Sequence, residues 1–167
     1  ISMQETIASF ARPQMATRER FDEGRGVVPR TGNRMLAPTA LYPCAPGGPN
    51  DWLFIMIVTS RMWDTLLAAI DRPELALDER FTTTELRRMN GDALVAEVAE
   101  WTRQRTKWEA MEHLGACGVP ASAVYDSNDI LADRHMRARG MIRSIEHPVR
   151  GAWEMVGPPI RMGASNV

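Results

Sequence analysis

The densest group of side chains with chemical potential in this 167-residue chain is cationic. Arg134, Arg137, Arg139 and Arg143 follow one another with no acidic residue between the first and the last. Guanidinium groups in such a run suit phosphates or carboxylates, because each presents a planar fork of donors. The competing arrangement is a solvated helix face that buttresses the next turn, with Asp129 and Asp133 at helical spacing to pair with the arginines. The second is the expectation. His113 and Cys117 are four apart on an expected helix, which would let both reach one metal ion. No third or fourth ligand stands nearby, so a partly exposed His beside a buried Cys is expected instead. Asp22-Glu23 and Asp78-Glu79 pair carboxylates at helix ends, where solvation and the helix dipole account for them. Gly24-Arg25-Gly26 lacks the third glycine and the preceding strand of a dinucleotide loop. No serine sits in a nucleophile elbow, and His113, His135 and His147 are scattered. A self-contained catalytic centre is not legible.

The elements that would position these residues read as α+β. Residues 3–23 look helical with a break at Pro13, and residues 24–38 form a linker rich in glycine and proline. Residues 41–45 and 52–59 read as strands joined across residues 46–51. Trp52, Leu53, Phe54, Ile55, Met56, Ile57 and Val58 are apolar without alternation, the pattern of a strand covered on both faces. Thr59 or Ser60 can cap a helix whose apolar stripe is Met62, Trp63, Leu66, Leu67 and Ile70; Asp71-Arg72-Pro73 stops it. Asn90 can cap the next helix, with Leu94, Val95, Val98 and Trp101 as its stripe. Thr106-Lys107-Trp108-Glu109 spells a capping box for a third helix ending at Gly118. Residues 119–125 read as a strand, Ser127 caps a helix to about Arg139, and residues 141–145 with 152–156 suggest a closing hairpin. The core expected around residues 52–58 comprises Trp63, Leu66, Leu67, Leu94, Val98 and Trp101.

Composition narrows the function classes. Apolar residues make up 44% and charged residues 25%, with a net charge of −1; bulk attraction to nucleic acid or to an anionic membrane is not indicated. Among the twenty basic residues only Lys107 is lysine. Cys44 and Cys117 have no companions, so two reduced thiols in a cytoplasmic protein are expected. The apolar run at 52–58 is too short to span a bilayer, and no leader pattern opens the chain. The first residue is Ile, so a piece of a longer protein is expected.

Three turn signatures follow in fixed order: Asp133-Arg134-His135 through Arg139-Gly140-Met141-Ile142, then His147-Pro148-Val149-Arg150-Gly151, then Gly157-Pro158-Pro159-Ile160-Arg161. Together with Ile1-Ser2-Met3-Gln4-Glu5 and Arg30-Thr31-Gly32-Asn33, they resemble the class III CoA-transferase family, the group of formyl-CoA and carnitine CoA-transferases. The resemblance runs over nearly the whole chain. It implies the small α+β domain of such an enzyme with its flanking linkers. Residues 1–38 would be helix and linker from the large domain, 39–139 the small domain, and 140–167 a returning hairpin and linker.

The resemblance also implies an intertwined homodimer acting on an acyl-CoA and a carboxylic acid, with coenzyme A as substrate and no tightly bound cofactor. The family's aspartate nucleophile would lie upstream of Ile1, leaving this chain inactive alone. Substrate or CoA contacts would come from Met3, Gly32, Asn33, Arg34 and Pro38. Formyl-CoA transferases carry a glycine run before the first strand of the small domain; residues 32–38 lack it, which argues against an oxalate-type enzyme with that lid. A related acyl-CoA racemase shares fold and CoA grip, and its discriminating residues would also lie upstream. A free-standing, non-enzymatic α+β interaction module is the third reading. The arms at 1–38 and 147–167 carry Ile7, Phe10, Met15, Val27, Trp153, Val156 and Ile160 without enough local sequence to cover them. Exposed apolar arms and self-association are therefore expected, with residues 39–139 as the independently folded unit.

Overall fold

The fold follows from one short strand and the side of it that packs. In the computed structural model, residues 2–11 and 38–160 are described. Strand β1 (Ala40–Pro43) pairs antiparallel with β2 (Trp52–Ile55), which pairs antiparallel with β3 (Ala121–Ala123), in the order β1-β2-β3. Side chains alternate along a strand, and here the alternation divides buried from open. Leu53 and Ile55 are fully buried and Ile57 nearly so, whereas Trp52, Met56 and Val58 are 37%, 47% and 52% exposed. The apolar run at 52–58 is thus covered on one face, not on both: among the described residues, the helices packed on this sheet lie on its Leu53–Ile55 side. The strands are also shorter than the sequence suggests. Between β1 and β2, Cys44 N donates to Asp51 O at 2.8 Å, and Asp51 Oδ2 accepts from Gly48 N at 2.7 Å. A Cβ at Gly48 would sit 2.9 Å from that oxygen, so a side chain there requires Asp51 to shift from its bond to Gly48 N.

Helices supply the other half of the core. α1 (Met3–Phe10) buries none of its residues; the remainder of the helix expected to residue 23 lies outside the described residues. α2 (Ser60–Ala69) is capped by Thr59, whose Oγ1 accepts from Met62 N, and buries Trp63, Leu66 and Leu67. It stops at Asp71, as expected, and Pro73 opens a single 3₁₀ turn, Pro73–Ala76. A further helix, α3 (Thr84–Met89), has no counterpart in the sequence reading. Buried Arg87 holds it, donating to Phe81 O at 2.8 Å and Thr84 Oγ1 at 3.0 Å with its guanidinium 5.0 Å from the Trp63 ring centroid. Asn90 makes no side-chain cap for α4 (Gly91–Thr102). Its Nδ2 donates to Leu86 O at 3.0 Å and Arg80 O at 3.1 Å, so it closes α3 instead. Leu94 and Val98 are buried as expected, while Trp101 is only half-buried.

α5 (Lys107–Ala116) begins with the expected capping box between Thr106 and Glu109 and ends before Gly118, whose φ of 79° suits glycine. One helix was expected from Ser127 to Arg139; there are two, α6 (Ser127–Ala132) and α7 (Arg134–Ala138). Asp126, not Ser127, caps the first, and Asp133 breaks the run in extended conformation and caps the second. The hairpin β4 (Ile142–His147) and β5 (Gly151–Val156) closes the described chain as expected.

The one lysine ties these parts together. Lys107 is buried, and its Nζ donates to Asn50 O at 3.2 Å, Val124 O at 2.9 Å and the Asp129 carboxylate. An ammonium has three donors and no acceptor, so all of them are used. The contacts join the β1–β2 turn, the end of β3, α5 and α6 at one point. Asn50 Nδ2 adds a bond to Asp126 Oδ2 at 3.1 Å. The Lys107 hydrogen bond holds the Asp129 carboxyl below the ordinary aspartate range.

Two outcomes follow from this packing. Ile55→Asp places an unpaired charge in the closed face of β2 and should abolish cooperative unfolding by circular dichroism; a melt within a few degrees of wild type would show the strand is not central. Lys107→Met leaves two carbonyls and a carboxylate without their donor, and urea titration should show a loss of about 3 kcal/mol at neutral pH. Because the folded Asp129 value is depressed, the pair's contribution is complete above the unfolded aspartate range and disappears as pH falls through the lower folded value. The gap between variant and wild type should therefore narrow in acid.

Candidate functional site

Of the five residues implied to contact substrate, Met3 and Pro38 fall among the described residues; Gly32, Asn33 and Arg34 lie outside them. Met3 opens α1 and is 84% exposed, with Ile7 and Phe10 also exposed along the same short helix. Pro38 is buried where the chain joins the sheet. Its carbonyl accepts from the Tyr42 hydroxyl, and Tyr42 is itself fully buried; burial pushes that phenol well above its ordinary range. Next to it, Thr39 Oγ1 donates to Ile57 O at 2.9 Å and accepts from Ile57 N at 2.8 Å. The last residues before β1 are thus fixed by side-chain bonds that sequence reasoning did not foresee.

The arginine run does not converge on a site. Arg137 makes a bidentate pair with Glu154 of β5, both bonds 2.8 Å. The expected acidic partners are engaged elsewhere. Asp129 holds Lys107, while Asp133 caps α7 and accepts from Tyr125 Oη at 3.2 Å. The buttress role stands with Glu154 as the partner, because the hairpin folds back beside α7.

His113 and Cys117 are adjacent, with Sγ 4.0 Å from Nε2. Cys117 is exposed rather than buried; the buried thiol is Cys44, where burial and Asp51 raise the thiol to about 11. His113 Nε2 lies 2.7 Å from Ala69 O; a carbonyl only accepts, so that nitrogen carries its proton and offers no lone pair to a metal. Among the described residues no three His, Cys, Asp or Glu side chains gather to hold one. A shallow groove of about 380 Å³ runs past Gln104, Arg105, Glu109 and His113. Its charged groups already serve local structure: Arg105 stacks 4.1 Å over Trp101 and donates to Trp101 O, and Glu109 is held by Thr106.

The broadest unassigned feature is the open face of the sheet. Leu41 lies opposite Phe54, and Phe54 opposite Ser122. Trp52 O accepts from Val124 N at 2.9 Å and Met56 N donates to Pro120 O at 3.0 Å, extending the same face at both ends. Leu41, Trp52, Met56 and Val124 are each at least 36% exposed. The hairpin adds Ile145, Trp153, Met155 and Val156, all more than 40% exposed. As expected, the arm residues Ile7, Phe10, Trp153, Val156 and Ile160 are uncovered; Met15 and Val27 lie outside the described residues. Among those residues no helix is long and apolar enough to cross a membrane.

Known proteins place this architecture. The formyl-CoA:oxalate CoA-transferase of Streptomyces avermitilis is 31% identical over 179 residues, covering all of this chain and 44% of the relative. Its counterpart from Streptomyces coelicolor is 30% identical, covering all of this chain and 43% of the relative. A CAIB/BAIF family protein from Brucella suis has a crystal structure that superposes with a TM-score of 0.71 at 28% identity, over 95% of this chain and 39% of that one. The chain spans less than half the length of these relatives. Residues 1–167 match the family model described as CoA-transferase family III, and the chain belongs to that family.

Proposed function

We propose that this chain is the small domain, with its linkers, of an enzyme that moves CoA between an acyl-CoA thioester and a carboxylic acid. The observation that carries this is the match to the transferase family over the whole chain, set against a span of less than half the length of the relatives. The catalytic aspartate belongs to a large domain upstream of Ile1. Its carboxylate attacks the thioester carbonyl to give a mixed anhydride and CoA thiolate. The thiolate then attacks the aspartyl carbon, releasing the donor acid and leaving an aspartyl-CoA thioester that a second carboxylate resolves. Residues 1–38 and 140–167 connect to that domain, and residues 39–139 form the small domain itself.

In this scheme Met3, Gly32, Asn33, Arg34 and Pro38 border the CoA-binding cleft, and a guanidinium such as that of Arg34 suits a carboxylate. The whole protein is a cytoplasmic homodimer with coenzyme A as substrate. The open apolar face of the sheet, α1 and the exposed hairpin support this, because a two-stranded hairpin with a bare apolar surface is marginal alone. The Streptomyces relatives carry oxalate in their names. Residues 32–38 here lack the glycine run of oxalate enzymes, which supports a different carboxylic acid as acceptor.

Purified 167-residue chain should transfer no CoA from formyl-, succinyl- or acetyl-CoA to any carboxylic acid, measured by product chromatography. The whole protein should transfer from at least one of these donors. Turnover by the isolated chain that disappears on substituting a residue within it would overturn the assignment.

A further inference from the structure

The closing hairpin leaves a strand edge with none of the usual protection. Gly157 N donates to Met141 O at 2.7 Å, and the pairs beyond it run without a bulge from Ile142 opposite Val156 to His147 opposite Gly151. Bonded pairs come at every second position of an antiparallel ribbon, so 143, 145 and 147 bond across to 155, 153 and 151. The backbone groups of Ala152, Glu154 and Val156 therefore point away from β4, and they have no hydrogen-bond partner among the described residues. Edges are ordinarily blunted by proline, lysine, a bulge or a covering element. β5 has no proline, lysine or bulge. Its one charged side chain, Glu154, is paired with Arg137, which engages a face of the hairpin and not its edge. The other face is apolar: Trp153 lies across from Ile145 and Met155 across from Arg143, all on the side away from Glu154. Trp153 and Met155 are 49% and 41% exposed. Both belong to β5, so a strand added beside β5 gains more apolar contact than one added beside β4.

We infer that β5 pairs antiparallel with β5 of a second copy, joining two hairpins into one four-stranded sheet. This rests on the homodimer proposed for the whole protein, and it names the strand through which the copies meet. The edge is self-complementary in one register. Outward backbone groups must meet outward backbone groups, so the pairing is centred on a single residue of each copy. Centred on Glu154, it sets two carboxylates directly opposite each other, which is destabilising. Centred on Ala152 or Met155, it overlaps only residues 151–153 or 154–156. Centred on Trp153, it overlaps residues 151–155 and places Glu154 opposite Ala152 of the second copy. The two Trp153 side chains then meet at a non-hydrogen-bonded position, where cross-strand side chains are closest. The contact uses the same edge of both copies and so closes as a dimer.

Disulfide capture in the whole protein tests the register, with the exposed Cys117 replaced by serine and the fold of each variant checked by circular dichroism. Trp153→Cys sets two thiols at directly opposed positions whose Cα atoms stand about 4.5 Å apart, within disulfide reach. Met155→Cys lies on the same face, but its counterpart in the second copy is more than about 12 Å away along the strands. Ile145→Cys reports pairing through β4 instead. With oxidised glutathione as oxidant, Trp153→Cys should link the subunits at least about 10-fold faster than either control, because paired positions meet at an effective concentration far above that in solution. Any other order of rates, in a protein that light scattering shows to be dimeric, would overturn the β5 pairing and leave the homodimer standing. A monomeric whole protein would overturn both.

Discussion

Everything described depends on β2 having one face closed. Leu53 and Ile55 are fully buried, and Trp63, Leu66, Leu94, Val98 and Leu114 pack in the same cluster. Three short strands could not hold a register by their hydrogen bonds alone, because sheets of this size draw stability from side-chain packing on a face. The buried side fixes which residues point inward, and a slip by one residue would invert that set. Lys107 then locks the edges: one ammonium satisfies acceptors on the β1–β2 turn, on the residue after β3 and on α6. Burying such a charge is costly unless every donor is used, and here every donor is used.

The opposite face of the sheet stays open. Outward positions on an ordinary antiparallel sheet are polar, yet here they include Leu41, Trp52, Phe54, Met56 and Val124. The same holds for the hairpin, whose residues are exposed along nearly its full length. Such surface is not stable in water by preference. It fits a family whose members are more than twice as long as this chain. Arg137–Glu154 keeps the hairpin beside α7, but an exposed ion pair contributes little to stability.

Local signals were legible and tertiary ones were not. The Thr106–Glu109 capping box, the Thr59 cap and the Gly- and Pro-punctuated hairpin are written in adjacent residues, and all three occur as read. α3 was invisible because only Leu86 and Met89 are apolar in it; it exists through Arg87, which reaches Phe81 O and the Trp63 ring. The two-sided burial read from residues 52–58 failed because the core packs on the Leu53–Ile55 side alone, and an apolar run without alternation does not tell one covered face from two. Asp126 took the cap expected of Ser127 because two good cap formers stand side by side and spacing does not rank them, while Asp133 divided the expected helix by capping a second one. Of the candidate site, motif resemblance pointed to Met3, Gly32, Asn33, Arg34 and Pro38. The bonds of Thr39 to Ile57 passed unnoticed, because they join residues far apart in the chain and no local pattern marks them.

Hydrogen–deuterium exchange on the isolated chain and on the whole protein tests most directly whether this is a half-covered unit. The amides of Leu53, Ile55, Val98 and Leu114 should be slow in both, because they belong to the closed core. Those of α1 and of residues 142–156 should exchange rapidly in the isolated chain and slowly in the whole protein. An isolated, monomeric chain in which α1 and the hairpin are already as protected as the core would contradict the account, since nothing further would then be needed to cover them.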